Sequence, residues 1–153
     1  MANELRADVV VVGGGAGGLM AAIEAHDQGA EVILLESEPQ TGGSTCLSGG
    51  YVAMCETELQ PGTKAELLED LIDSPHHDAN EVLSHIYVEN APDLYLRLKD
   101  LGLNFRRLET YAHMSKPWAH ELPVEDLGGG AQIAAALAAG ARARGVDIRV
   151  STR

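Results

Sequence analysis

Long apolar runs are missing from this 153-residue chain: no window comes near the eighteen apolar residues that a membrane-spanning helix needs. Basic residues are also scarce, eleven Lys and Arg against 23 Asp and Glu, for a formal charge of −12. That balance argues against a nucleic-acid or anionic-membrane partner, because either surface needs a basic patch to pair with or to release counterions. Fifteen of the acidic residues lie between Glu56 and Asp126, alongside six Lys or Arg, and read as a solvated face. Aromatics make up only 4%, so the core must be aliphatic. The two cysteines, Cys46 and Cys55, form neither a C-x-x-C pair nor a disulfide framework, which points to a reducing, cytoplasmic setting. The start, MANELRADVV, has no secretory h-region. With 45% hydrophobic and 22% charged residues the composition is globular, and the length suits one domain.

What is plentiful is glycine, 17 residues in all, and its placement carries the argument. Ala7 to Val12 is a β-branched apolar run, the pattern of a parallel strand covered on both faces. From Ala16 to about Gln28 the period becomes helical, with Leu19, Ala22 and Ile23 on one side and Gly29 as the stop. Glu31 to Glu36, "EVILLE", is a second strand. Strand, helix and strand make a βαβ unit over 7–36.

Gly13, Gly15 and Gly18 stand where a dinucleotide fold needs them. The first turns the chain out of the strand, the second lets the backbone approach a pyrophosphate, and the third lets helix and strand pack closely. Gly13, Gly15, Ala16, Gly17 and Gly18 would then cradle the phosphates at the helix N-terminus. Glu36, with Ser37 beside it, is placed to accept hydrogen bonds from an adenosine ribose, and an acid there would repel the 2′-phosphate of NADP.

Downstream, the loop over 37–55 contains "EPQTGGSTCLSGG", a second glycine-rich segment for which an NAD protein has no general need. A helical segment spans 63–102: Thr63 and Glu66 form a capping box for a helix through Ile72, and Asp78 with Glu81 start a second helix carrying Val82, Leu83 and Ile86. Asn90 and Pro92 open a third, with Leu94, Leu98 and Leu101 as its apolar stripe. A loop over 103–130 leads to a helix and strand over 131–150, with Ile133 and Leu137 in the core and "VDIRV" as the strand.

At "LLESEPQTGGSTCLSGGYVA" the chain resembles the FAD-dependent fumarate reductase and succinate dehydrogenase flavoproteins, most of all the soluble branch with the 3-ketosteroid dehydrogenases. The resemblance continues through "ENAPDLYLRLKDLGLNF" and "LGGGAQIAAALAAGARARGVDIRVST". It implies an α/β, Rossmann-like FAD-binding domain of the glutathione-reductase type, with a parallel sheet, a helical insertion in the middle and the strands near Val146, Glu31 and Ala7 side by side. It also implies FAD, with Gly42, Gly43, Ser44 and Thr45 at the diphosphate and Ser48, Gly49 and Gly50 near the flavin ring. Family members that bind FAD covalently place a histidine just before the loop threonine. Here Gly43 and Ser44 occupy that neighbourhood, so the resemblance implies noncovalent FAD. The implied reaction is hydride transfer across a carbon–carbon bond beside a carbonyl or carboxylate, on a small-molecule substrate.

Family members are far longer, and their capping domain and remaining FAD-domain strands have no counterpart in these residues, so the resemblance implies the N-terminal part of such a domain. The expectation is a split or truncated flavoenzyme whose second polypeptide supplies the rest, or self-association through the exposed strand edge. A noncatalytic FAD- or ADP-binding subunit is the alternative; an NAD-binding regulatory domain is disfavoured by the second glycine loop. No catalytic residue is assigned. His113 and His120 flank a segment that approaches the flavin pocket in relatives and are candidates for a general acid or substrate anchor, with Tyr111 and Trp118 as loop packing. Tyr51 is a candidate flavin or substrate contact, and Cys46 a buried inert thiol. His76, His77 and Asp78 are adjacent and read as a solvated helix start, so no metal is expected. Gly15→Val is expected to abolish nucleotide binding, and Glu36→Ala to weaken it by about 1–3 kcal/mol, both measurable by titration with FAD.

Overall fold

The computed structural model describes residues 4–73, 79–109, 115–123 and 128–153. They divide into two compact units: residues 1–48 with 130–153, and residues 49–129.

In the first unit, β1 (Val9–Val12) runs into α1 (Ala16–Asp27) and then β2 (Val32–Leu35). The last strand, β6 (Asp147–Arg149), follows α4 (Gly129–Arg144). The sheet is wholly parallel in the order β1-β2-β6, with Val9 opposite Val32 and Leu34 opposite Ile148. Both crossovers advance in the same direction, so the right-handed rule puts α1 and α4 on one face. An ion pair from Arg144 Nε to Asp27 Oδ1, 2.7 Å, joins their C-terminal ends. Leu19, Ala22 and Ile23 of α1 are buried, as are Ile133, Ala134, Leu137, Ala138 and Ala141 of α4. The alanines let that helix lie close.

Expected to be covered on both faces, β1 instead alternates: Val9 and Val11 are half-buried, whereas Val10 is 55% and Val12 82% exposed. A strand with one clothed face buries every second side chain, and β1 is also the edge of the described sheet.

The second unit is built on β3 (Val52–Ala53), β4 (Arg106–Arg107) and β5 (Ala119–Glu121), antiparallel in the order β3-β5-β4, with α2 (Lys64–Ile72) and α3 (Glu81–Asp100). Its core is Cys55, Leu67, Val88, Ala91 and Trp118. Trp118 is fully buried, and its indole N–H donates to Asp70 Oδ2. Burial, chiefly, raises the Cys55 thiol pKa and keeps it protonated. The Thr63–Glu66 capping box is formed on both sides.

The two helices expected over 78–101 are one. Pro92 sits inside α3, which runs unbroken because Val88, Ala91, Tyr95 and Leu98 make one continuous buried stripe on either side of it. Packing outweighs the lost hydrogen bond and the ring clash. The N-cap is Asn80, whose Oδ1 accepts from Leu83 N at 3.1 Å; Asp78, expected there, lies outside the described residues, as do His76 and His77. Val82, Leu83 and Ile86 are exposed. Within the loop expected over 103–130 stand β4 and β5, two and three residues long.

His120, on β5, is fully buried. Its Nδ1 lies 2.9 Å from Trp118 O, which can only accept, so Nδ1 carries the proton and Nε2 accepts from the Thr57 hydroxyl at 2.8 Å. Gln60 N in turn donates to Thr57 Oγ1, and the rings of Tyr95 and Phe105 flank the imidazole edge-on. Burial pushes the His120 pKa below its ordinary 6.5, partly offset by the hydrogen bond to Trp118. The unfolded chain therefore takes up a proton near pH 6.5 before the folded one does. Stability from this group is complete above that pH and falls as pH drops through it. The expected result is a lower thermal midpoint at pH 5.5 than at 7.5, with the difference reduced in His120→Gln.

Candidate functional site

The site is assembled in the first unit, where β1 ends. Gly13, φ +101°, turns the chain out of the strand, and its amide donates to Leu35 O at 2.8 Å. Gly15 is the N-cap of α1. A Cβ on Gly18 would lie 1.9 Å from Gly13 O, so the first turn of the helix is pressed against the turn before it. Cβ positions on Gly13 and Gly17 meet nothing within 4 Å. The glycines thus present a backbone surface free of side chains, beside the positive end of a 12-residue helix.

The second glycine segment folds onto the first. Gly42 N donates to Gly14 O at 2.8 Å, and Ala16 N donates to Thr45 Oγ1 at 3.1 Å. From Gly43 to Leu47 the chain, expected to hold no regular element, makes a 3-10 turn, with Thr45 N on Gly42 O and Ser48 N on Thr45 O. Gly42 has φ +127°, and a Cβ there would meet Cys46 Sγ at 2.1 Å. Cys46 is half-buried beneath it as packing. Gly43, Ser44 and Ser48 are exposed.

Glu36, just past β2, is 7% exposed. Its Oε2 accepts from Gly14 N at 2.7 Å; its Oε1 accepts from Glu38 N at 2.9 Å and from Ser37 Oγ at 3.1 Å. The Glu38 and Gly14 amides, in that order, hold this carboxyl below the usual glutamate range against the opposing effect of burial. The Ser37 backbone and side chain add to the same effect, so the carboxylate is ionised and held in one orientation at the end of β2.

Of the residues singled out in the sequence, Gly13, Gly15, Ala16, Gly17, Gly18, Glu36, Ser37, Gly42, Gly43, Ser44, Thr45 and Ser48 all belong to this unit. Gly49, Gly50 and Tyr51 belong to the other, where Gly50 is buried with φ +74° and Tyr51 is half exposed. His120, a candidate proton donor, is enclosed with both ring nitrogens committed, so it is a structural residue. His113 and Tyr111 lie outside the described residues. Among the described residues no cluster of metal-ligating side chains occurs, and no helix is long and apolar enough to cross a membrane.

The profile of the family described as "FAD binding domain" matches residues 8–153. This chain belongs to that family. The FAD-binding domain shares 33% identity over 95% of its length with the NADH:fumarate oxidoreductase of Klebsiella pneumoniae, and 31% over 95% with a fumarate reductase (cytochrome) of Shewanella frigidimarina. It spans only 16% and 26% of those two proteins. Among solved structures, a flavocytochrome c3 fumarate reductase in its open conformation superposes with TM-score 0.87 at 26% identity, over 95% of this chain and 26% of that one. The 3-ketosteroid-Δ4-(5α)-dehydrogenase of Rhodococcus jostii RHA1 gives TM-score 0.81 at 25% identity, over 96% and 38%. The cofactor is therefore FAD, and the fold is the α/β FAD-binding fold of fumarate reductase and ketosteroid dehydrogenase flavoenzymes.

Sequence reasoning passed over two contributors to this FAD-binding domain. Gly14 supplies the amide that anchors Glu36, and a Cβ on it would press on Thr41 at 2.8 Å and on Glu36 itself at 3.0 Å. Gly130, in the first turn of α4, lies against the 3-10 turn: a Cβ there would stand 2.1 Å from Thr45 O and 2.3 Å from Ser48 Oγ. Three successive glycines before a helix were the only signal. Gly130→Ala is expected to displace the Thr45–Ser48 turn and weaken FAD binding about tenfold or more, whereas Gly128→Ala, with nothing within 4 Å, leaves it unchanged; equilibrium dialysis against FAD checks both.

Proposed function

We propose that this domain holds FAD noncovalently for a flavin-dependent oxidoreductase that moves a hydride across a carbon–carbon bond adjacent to a carbonyl or carboxylate. The observation that carries the reading is the meeting of two glycine segments, Gly42 on Gly14 and Thr45 on Ala16, at the N-terminus of α1. The first-turn amides and the bare backbone of Gly13 and Gly17 suit a diphosphate, which needs donors, a favourable dipole and no side chains in its way. Gly42, Gly43, Ser44 and Thr45 would bind its other side. The Glu36 carboxylate would take a ribose hydroxyl, and its negative charge would turn away a 2′-phosphate. Ser48, Gly49 and Gly50 would approach the flavin ring, where small residues leave room for a flat heterocycle.

When bound, FAD supplies the hydride chemistry. The chain's own contribution is to bind and orient it, and the proton-handling group is unassigned. Support comes from the relatives, of which this domain covers 16% and 26%, and from β1, which is the edge strand of the described sheet and has Val10 and Val12 exposed on its bare face. A second polypeptide would thus supply further strands and the cap over the substrate. Relatives named for fumarate and for 3-oxosteroids support a substrate whose double bond is activated by a neighbouring carbonyl group. A noncatalytic FAD- or ADP-binding subunit would use the same cradle without that second polypeptide.

The test is reconstitution with FAD followed by acid precipitation and an assay with fumarate and with a 3-ketosteroid. One flavin per chain, released intact into the acid supernatant, with no turnover by the domain alone, is the expected result. Flavin retained in the pellet would overturn noncovalent binding, and turnover by the domain alone would overturn the need for a second polypeptide.

A further inference from the structure

Ser151 adopts φ +53°, the left-handed region that a residue with a Cβ enters only when its surroundings hold it there. It follows the end of β6, and its neighbourhood explains what the turn achieves. In an extended strand successive N–H groups point to opposite sides. Here two successive N–H groups bond the same neighbouring segment: Ser151 N donates to Glu38 O and Thr152 N to Glu36 O, each at 2.9 Å. Glu36 N returns a bond to Arg149 O at 2.8 Å, and the Thr152 hydroxyl donates to Val150 O at 3.1 Å. The one residue out of extended conformation, just past the strand end, redirects the donors that follow it onto residues 36–38.

The clamped segment, residues 36–38, supplies hydrogen bonds that fix the Glu36 carboxylate, from Glu38 N and from Ser37. Another comes from Gly14 N across the site. Glu38 is thus gripped at its carbonyl by Ser151 while its own amide is presented to Glu36 Oε1. We propose that the left-handed turn at Ser151 is a positioning device for the Glu36 carboxylate and, through it, for the adenosine ribose of the cofactor. The second half of this proposal rests on the reading of Glu36 as the ribose acceptor. Ser151 itself touches no reacting group; it acts through the backbone of Glu38.

Three substitutions separate the turn from the side chain. Ser151→Gly keeps the N–H and relieves the left-handed conformation; Ser151→Val keeps the N–H but opposes that conformation; Ser151→Pro removes the N–H and forbids it. Two readouts are followed in the full chain: the Glu36 carboxyl titration by carbon-13 NMR, and ADP affinity by calorimetry, ADP being the adenosine half of the cofactor. Ser151→Gly is expected to match the wild type in both. Ser151→Val and Ser151→Pro are expected to raise the Glu36 titration toward the ordinary carboxylate range and to weaken ADP binding by about tenfold or more. A general loss of stability without repositioning would not move the titration of one carboxyl. Should Ser151→Pro fail to fold, Ser151→Val decides. Folded variants with unchanged Glu36 titration and ADP affinity overturn the proposal. A wild-type chain that binds no ADP overturns the ribose reading alone, and the titration still judges whether the turn positions the carboxylate.

Discussion

The bond from Gly14 N to Glu36 Oε2, 2.7 Å long, joins the ends of two adjacent strands across 22 residues of sequence, and the site's geometry depends on it. A backbone amide on a carboxylate is a charge-assisted bond, worth on the order of 1.5–3 kcal/mol when water is excluded. It sets the glycine turn that follows β1. Gly18 then packs on Gly13, Gly42 takes the Gly14 carbonyl, and Thr45 satisfies the first amide of α1. Aspartate would be one methylene short, and glutamine would lose the charge. Glu36 is thus both the keystone of the turn and the group read as holding the ribose, which is why its substitution should disturb binding and stability together.

The two units divide the physical tasks. The first is a parallel βαβ sheet carrying every residue proposed for the diphosphate cradle, and it exposes apolar surface at Val10 and Val12. The second has its own core around Trp118 and Leu67, with a buried, neutral histidine bonding β5 to the Thr57–Gln60 turn. The exposed valines stand on the bare face of β1, where apolar surface is costly to leave in water.

Much of this was legible in the sequence. A short valine strand, three spaced glycines, an amphipathic helix and a second strand ending in an acid define a dinucleotide fold because each residue type answers a local backbone requirement. The capping box at Thr63 and Glu66 is likewise a four-residue signal, and the structure forms it. What sequence reasoning missed depends on contacts distant in the chain. Pro92 reads as a helix start until the buried stripe from Val88 to Leu98 outweighs it. Strands β3 and β4, two residues each, are too short to show a period. His120 looks like a proton donor until Thr57 and Trp118 are seen to occupy its nitrogens, and Gly130 acquires a reason only when the carbonyl of Thr45 is found against it.

The most direct measurement is equilibrium dialysis of the chain against FAD and, separately, against FMN, which carries the flavin and one phosphate but no adenosine. A cradle built on Glu36, the glycine turn and the helix end holds the cofactor chiefly by its diphosphate and adenosine half, so FAD should bind at least about a hundredfold more tightly than FMN. Equal affinity for the two would contradict it, placing the binding energy at the flavin ring and leaving the Gly14–Glu36 bond without a part in cofactor recognition.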